Sequence, residues 1–110
     1  MRPRRLQTVA LRDRRRLAED GILIVVATLA AQDGGGLTAP PELIVRGFGE
    51  GAEPLLEELR EEAARVLAEL IRDDVTEIKL LQEHLHDAVG QLVYDRTRRR
   101  PMILPVIVEV

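Results

Sequence analysis

Two aliphatic runs at opposite ends of the chain constrain the fold most: ILIVVATL at Ile22–Leu29 and MILPVIVEV at Met102–Val110. Both runs are rich in β-branched residues, which favour strands. The first follows the turn pair Asp20-Gly21. The second contains Pro105, which cannot donate a ladder hydrogen bond and so predicts an edge strand or a bulge. Apolar residues occupy alternate and intervening positions alike, so both faces of such strands need cover.

The middle of the chain adds a strand and a helix. Glu42–Arg46 (ELIVR) predicts a second strand, and the long Gly- and Pro-rich connection before it favours an antiparallel pair with the first. Pro54 fits the first position of a helix. Apolar residues then recur at spacings of three and four, so we expect this helix to run to about Arg72.

A second helix is predicted from Asp74 and Glu77, which have the spacing of a capping box with Asp in the cap role. An apolar stripe follows them, and the helix should fade before Pro101. The resulting order, β-β-α-α-β, predicts an α+β fold in which a small three-stranded sheet packs against two helices.

Length and composition bound the class of protein. The 110 residues suit one domain, which we place at residues 11–110 behind a poorly defined basic segment at residues 1–10. Hydrophobic residues make up 45% and charged residues 32%, as in globular proteins. The absence of cysteine makes the cytoplasm the simplest location. No apolar run approaches the roughly 18 residues of a membrane span, so a membrane partner is not expected.

Charge is segregated along the chain, with basic residues crowded at 2–16 and 96–100. Such clusters attract RNA phosphates, and Arg14, Arg15, Arg98 and Arg99 are the candidate RNA contacts. Solvated arginines, or arginines paired with acidic neighbours in a larger assembly, are the alternative. Phe48 and Tyr94 are the only aromatic residues, too few for sequence-specific RNA readout.

A surplus of apolar surface predicts an interface. Leu80 and Tyr94 fall on the side of the second helix opposite its main apolar stripe. With Ile103 and Ile107 of the last strand, they are the candidate interface residues for docking another domain or subunit. Scattered surface apolar groups, which are common, are the alternative.

No catalytic, cofactor-binding or metal-binding residue is predicted. His84 and His86 project about 200° apart on a helix, so they cannot chelate one ion together. The Gly47–Gly51 loop lacks the patterns of a P-loop and of a dinucleotide fingerprint. Serine and cysteine are absent, and no threonine has a neighbouring His-acid pair.

Three ordered blocks resemble the carboxy-terminal domain of ribonuclease J: LRDRRRLAEDGI at Leu11–Ile22, PELIVRGF at Pro41–Phe48 and RRPMILPVIVEV at Arg99–Val110. The resemblance covers about residues 8–110 and implies a parent enzyme with a metallo-β-lactamase core and a β-CASP insert. That core binds zinc and hydrolyses RNA, and its metal and catalytic residues lie outside this domain. The resemblance also implies that the domain supports subunit association.

We therefore expect an accessory module that is not an enzyme on its own and that carries no cofactor, since the family's zinc belongs to the core. Its expected partners are a ribonuclease J core or a second copy of itself, and RNA is a further candidate. The alternative hypothesis is a free-standing RNA-binding module that uses its Arg-rich ends. Met1–Leu6 does not resemble the family's linker, so a truncated gene product, a fragment and a stand-alone protein all fit the sequence.

Overall fold

The computed structural model describes residues 20–30, 36–47 and 53–110. Their order is β-β-α-α-β, and the predicted α+β fold with a three-stranded sheet and two helices is confirmed. The elements are β1 (Ile22–Leu29), β2 (Glu42–Arg46), α1 (Glu53–Arg72), α2 (Ile78–Thr97) and β3 (Met102–Glu109). Arg14, Arg15, the segment 1–10 and Phe48 lie outside the described residues, as does most of the glycine-rich loop after Gly47.

The sheet has the order β2-β1-β3, so the first strand is central and both others are edges. β1 pairs antiparallel with β2, as predicted, with Ile24 opposite Ile44. It pairs parallel with β3, with Ile24 opposite Leu104. A parallel pair needs a long crossover connection, and α1 and α2 lie in the stretch of chain between β2 and β3.

Pro105 occupies an edge strand, as its chemistry predicts. The backbone N–H groups of Met102 and Val110 donate to carbonyls of Gly21 and Leu29, each at 2.9 Å. Donors that face β1 therefore come from even-numbered residues, because successive peptide groups of a strand point to opposite sides. The backbone nitrogen of Pro105, at an odd position, faces the open edge of the sheet. Its missing N–H therefore costs no hydrogen bond with β1.

The hydrophobic core lies between the helices and one face of the sheet. Each leucine, isoleucine or valine side chain buried here contributes roughly 1.5–3 kcal/mol of transfer free energy. The buried set comprises Leu23, Val25, Ala27 and Leu29 of β1, Leu59, Ala63 and Leu67 of α1, Leu81, Leu85, Val89 and Val93 of α2, and Ile103 and Ile107 of β3. Leu43 and Val45 of β2 pack against its border.

Ile103 and Ile107, which the sequence analysis names as candidate interface residues, belong to the core and are only 7% and 9% exposed. The register explains their place. Ile103 pairs with Leu23 and Ile107 pairs with Ala27, so both isoleucines share the helix-covered face with buried residues of the central strand. The intervening residues of β3 point to the opposite face.

The connection between the helices also differs from the prediction. Asp74 is not the N-cap of α2, because that helix begins at Ile78 after an extended Glu77, which makes no side-chain capping hydrogen bond. Asp74 instead ends α1 in a left-handed conformation with φ 64°. Its N–H donates to Ile71 at 3.0 Å, and the Val75 N–H donates to Leu70 at 2.9 Å, which is a Schellman motif.

Neither helix is long and apolar enough to cross a membrane, within the part of the chain that the structure describes.

Candidate interaction surfaces

The sheet face turned away from the helices, here called the outer face, is built of aliphatic side chains. Besides Glu42 and Arg46 of β2, its residues are Ile22, Ile24, Val26 and Thr28 of β1, Ile44 of β2, and Met102, Leu104, Val106 and Val108 of β3. Ile44 and the last three residues of that set are 37–42% exposed. The sequence predicted apolar character on both faces of these strands. Within the described residues, the helices cover only one of them.

The strand register arranges the outer face in three rows that cross all three strands. The central row is Ile44, Ile24 and Leu104. On one side lies the row that begins with Arg46, and on the other lies the row that begins with Glu42. Each flanking row continues with aliphatic residues, Ile22 and Met102 in the first and Val26 and Val106 in the second. One positive and one negative side chain therefore stand at equal spacing on either side of Ile44.

A cleft of about 380 Å³ lies between α2 and the start of β3. Its wall from the helix is formed by His86, Asp87, Gly90, Gln91 and Tyr94, and its wall from the strand side by Arg100, Pro101 and Ile103. We call it the Tyr94 cleft. A second depression of about 370 Å³ continues along α2 and shares His86 and Asp87 with the first.

Gly90 leaves the middle of the Tyr94 cleft open. A Cβ built at this position would lie 3.7 Å from Cγ1 of Ile103, an ordinary van der Waals distance. The close approach of helix and strand therefore has room for an alanine, and packing does not require glycine here.

Arginines surround the ring of Tyr94 at the end of α2. The guanidinium carbon of Arg100 lies 4.2 Å from the ring centroid, and that of Arg98 lies 5.1 Å from it. Both distances fall within the range of cation–π attraction. The helix C-terminus also favours positive charge, since its last carbonyls carry partial negative charge.

Backbone hydrogen bonds fix the turn that carries these arginines. Arg98 is left-handed with φ 60°, and its N–H donates to the Tyr94 carbonyl at 2.7 Å. The Thr97 hydroxyl donates to the Val93 carbonyl at 2.7 Å and accepts the Arg99 N–H at 3.0 Å. The Arg100 N–H donates to an Asp20 carboxylate oxygen at 3.1 Å.

The predicted site residues do not gather in one place. Leu80 is 41% exposed near the start of α2, about four helical turns and roughly 20 Å from Tyr94. Tyr94 and Ile103 share the Tyr94 cleft, and Arg98 and Arg99 are exposed beside it. Sequence reasoning missed Arg100, Ile44 and the exposed half of β3. Strand alternation identifies that half once one face is assigned to the helices.

The solvent-exposed side of the helices carries ion pairs. Arg65 contacts Glu62 at 2.7 Å and Glu69 at 2.8 Å, and these carboxylates raise its pKa. Arg96 of α2 pairs with Glu58 of α1, and its hydrogen bond lowers the pKa of Glu58. Such exposed pairs contribute little to stability, because water and salt screen them.

The described residues do not fit the zinc site that the resemblance attributes to the family's nuclease core. His86 Nδ1 lies 3.1 Å from Asp87 Oδ1, but nowhere among the residues with coordinates do three His, Cys, Asp or Glu side chains group around one point.

Comparison with known proteins gives a consistent relationship. The family model described as Ribonuclease J C-terminal domain matches residues 9–110. Ribonuclease J2 of Bacillus subtilis (strain 168) is 40% identical over 104 residues, which cover 93% of this chain and 19% of the relative. Ribonuclease J 2 of Staphylococcus epidermidis and of Staphylococcus aureus (strain NCTC 8325) are 38% and 36% identical, with coverage of 93% of this chain and 18% of each relative. The chain thus spans about a fifth of the length of these relatives.

Proposed function

The chain belongs to the ribonuclease J C-terminal domain family, and from this premise we propose that it is a non-catalytic assembly domain. Its outer face associates with the outer face of a second copy, and so supports oligomerisation of a ribonuclease that processes and degrades RNA. We place this activity in the cytoplasm, where such RNA turnover occurs.

The observation that carries the proposal is the aliphatic outer face, whose exposed residues include Ile44, Leu104, Val106 and Val108. Sheets of this kind pack face to face about 10 Å apart, and their inner side chains interdigitate. Burying aliphatic surface is the dominant favourable term in most associations. A contiguous apolar patch of this kind marks an interaction site.

The charges on the outer face favour a second copy as its partner. A two-fold axis along the central row, across the strands, places the Arg46 row of one copy over the Glu42 row of the other. Each Glu42 then meets one Arg46 of the other copy, and this contact occurs twice in the dimer, because a two-fold interface repeats every contact. In the same arrangement, the aliphatic residues of β1 face those of β1 in the other copy, and those of β3 face those of β3.

The size of the face sets the strength of this association. Three strands spaced about 4.8 Å apart and seven residues of about 3.3 Å give a face of roughly 14 Å by 23 Å. Two such faces bury roughly 600–800 Å², less than the roughly 1,200 Å² of a stable interface. The isolated domain should therefore dimerise weakly, with a Kd on the order of 100 μM. In a longer polypeptide, this contact would add to others.

Sedimentation equilibrium tests the proposal with a matched pair of variants. Leu104→Gln changes a 37% exposed leucine on the outer face, whereas Leu80→Gln changes a 41% exposed leucine on α2. We expect the mass of the wild type and of Leu80→Gln to rise with concentration, and that of Leu104→Gln to stay monomeric. A monomeric wild type, or equal effects of the two substitutions, would refute association through the outer face.

A cleavage assay tests the non-catalytic assignment. Zinc-dependent hydrolysis belongs in this proposal to the nuclease core of the parent family. The chain alone should leave 5′-monophosphorylated RNA intact, and metal-dependent cleavage that survives controls for contamination would overturn the assignment. A ribonuclease J core that lacks this domain should gain activity or assemble when the chain is added only if the two dock, which separates core docking from self-association.

RNA binding is the second candidate function, and one observation favours it. Arg98, Arg99 and Arg100 form no ion pair with any carboxylate among the described residues. These three guanidinium groups can neutralise phosphates, and the affinity for single-stranded RNA should then fall with salt at a log–log slope of about −2. Salt-independent binding, or none, would exclude this function.

A further inference from the structure

We propose that the Tyr94 cleft binds one phosphorylated nucleoside, either as a free nucleotide or as a residue of an RNA strand. The inference rests on the second candidate function, RNA binding, where the ligand is part of an RNA strand, stands without it where the ligand is a free nucleotide, and is independent of association through the outer face. It adds a defined site and a ligand class to what was an exposed cluster of arginines.

The shape and lining of the cleft suit such a ligand. Its volume of about 380 Å³ lies within the usual range of small-molecule sites, roughly 300–1,000 Å³. The apolar atoms of Gly90, Pro101 and Ile103 that border the cleft supply a surface on which the face of a base can pack, while the Tyr94 ring is engaged by Arg98 and Arg100. Gln91 and Asp87 supply polar atoms at the rim, where they can reach the edge of a base.

Charge gives the cleft a direction. Asp87 lies at one end, where its carboxylate contacts His86, and Arg100 lies at the other end beside Tyr94. Asp87 and Tyr94 are about two helical turns apart, roughly 10 Å, which matches the span from a base to its 5′-phosphate. The carboxylate repels a phosphate, and the guanidinium groups bind one with paired N–H donors. The phosphate therefore belongs at the arginine end and the base at the Asp87 end.

The packing of α2 against β3 does not require a glycine at position 90. Glycine is among the poorest helix formers, yet it occupies the middle of α2. A Cβ at this position would meet Ile103 only at an ordinary 3.7 Å, so close helix–strand contact does not account for it. What the missing side chain provides is an open cleft at the point where a base would lie.

The arginine end is fixed before any ligand arrives. The side-chain and backbone hydrogen bonds of Thr97 and Asp20 hold the backbone of Arg99 and Arg100. The ring of Tyr94 supports the guanidinium groups of Arg98 and Arg100. A pre-ordered arginine loses less conformational entropy when it binds a phosphate than a mobile surface arginine does. Phosphate binding is therefore favoured at this end of the cleft.

NMR titration of the whole chain with adenosine 5′-monophosphate tests the inference, with adenosine and inorganic phosphate as separate probes. We expect the largest shifts at Gly90, Gln91 and Tyr94, and weaker binding of each partial probe. Gly90→Leu should abolish binding, because the added side chain fills the cleft while favouring the helix. Arg100→Gln should weaken it about tenfold, and Arg72→Gln, at the end of α1, should leave it unchanged. Circular dichroism of each variant verifies folding.

A short single-stranded RNA then separates the two sources of ligand and the two hypotheses. If Gly90→Leu abolishes binding of both the mononucleotide and the RNA, the cleft is the RNA site. Mononucleotide binding without RNA binding would support a free nucleotide as ligand and exclude the RNA-binding candidate. If Gly90→Leu binds RNA as well as the wild type does, RNA binding stands and the cleft inference falls. Failure of the wild type to bind any probe would overturn both.

Discussion

Replacing Asp74 with glycine should stabilise the protein, because Asp74 holds a backbone conformation that suits glycine better. Its φ of 64° lies in the left-handed region. This region costs an L-residue roughly 1–2 kcal/mol, and aspartate sits at the low end of that range. Glycine avoids the cost but loses more conformational entropy on folding, which offsets part of the gain. The expected net gain is about 0.5–1 kcal/mol.

The sign of this effect separates two descriptions of the turn. In the Schellman motif, the N–H groups of Asp74 and Val75 donate to α1 at 3.0 and 2.9 Å, and glycine keeps both bonds. If Asp74 instead capped α2 with its side chain, as the capping-box spacing predicts, glycine would lose a cap and cost a few tenths of a kcal/mol. Stabilisation follows from the first arrangement and destabilisation from the second.

Urea denaturation and thermal denaturation, each followed by circular dichroism, measure the change. A gain of 0.5–1 kcal/mol corresponds to a rise in Tm of roughly 2–6 °C for a domain of this size. Asp73→Gly is the matched control. The Asp73 N–H donates to the Glu69 carbonyl of α1 at 3.0 Å, and Asp73 has no positive φ. Glycine should therefore destabilise the protein at this position. An Asp74→Gly variant that is less stable than the wild type would refute the reasoning.

Three further substitutions test the helices. Gly90→Ala should stabilise by about 0.5–1 kcal/mol in thermal denaturation, since the Cβ finds room 3.7 Å from Ile103; a loss of stability would mean a clash that the structure does not contain. Leu85→Ala should destabilise by about 2–5 kcal/mol in urea, because Leu85 is fully buried, and a loss below 1 kcal/mol would contradict its core position. The hydrogen bond from Arg96 lowers the pKa of Glu58 from its ordinary 4.5, so its stabilising contribution is present above that value and is lost as pH falls through the lowered pKa. Glu58→Gln should therefore flatten the pH dependence of unfolding in acid, and an unchanged profile would show that the pair contributes nothing.

Local signals predicted most of the fold. The aliphatic runs at Ile22–Leu29 and in β3 are strongly β-prone, and the apolar stripes of α1 and α2 have helical spacing, so each element lies where its own residues favour it. Pro105 was predicted at an edge for the same reason, since a missing N–H is a property of the residue itself.

Strand register and contacts between segments that are distant in sequence could not be predicted from local signals. Apolar residues stand at both parities of β3, so the sequence did not decide whether Ile103 or Leu104 faces the helices. The parallel register with β1 decides it, because Ile103 lies opposite the buried Leu23. The Tyr94 cleft likewise depends on how close α2 comes to β3, which no local pattern records. The spacing of Asp74 and Glu77 was compatible with a capping box, but contact of Val75 with the core edge favours the Schellman turn.

A charge-exchange cycle at Glu42 and Arg46, measured by sedimentation equilibrium, tests association through the outer face most directly. In the proposed two-fold arrangement, Glu42→Arg places two arginines opposite each other, and Arg46→Glu does the same with two glutamates. Each single variant should weaken the dimer by on the order of tenfold, and the double exchange should restore it, because opposite charges meet again. A control variant on α1, Glu61→Arg, should leave the dimer unchanged. Recovery in the double variant would support the arrangement, whereas a double variant as weak as the singles, or singles that associate like the wild type, would contradict it.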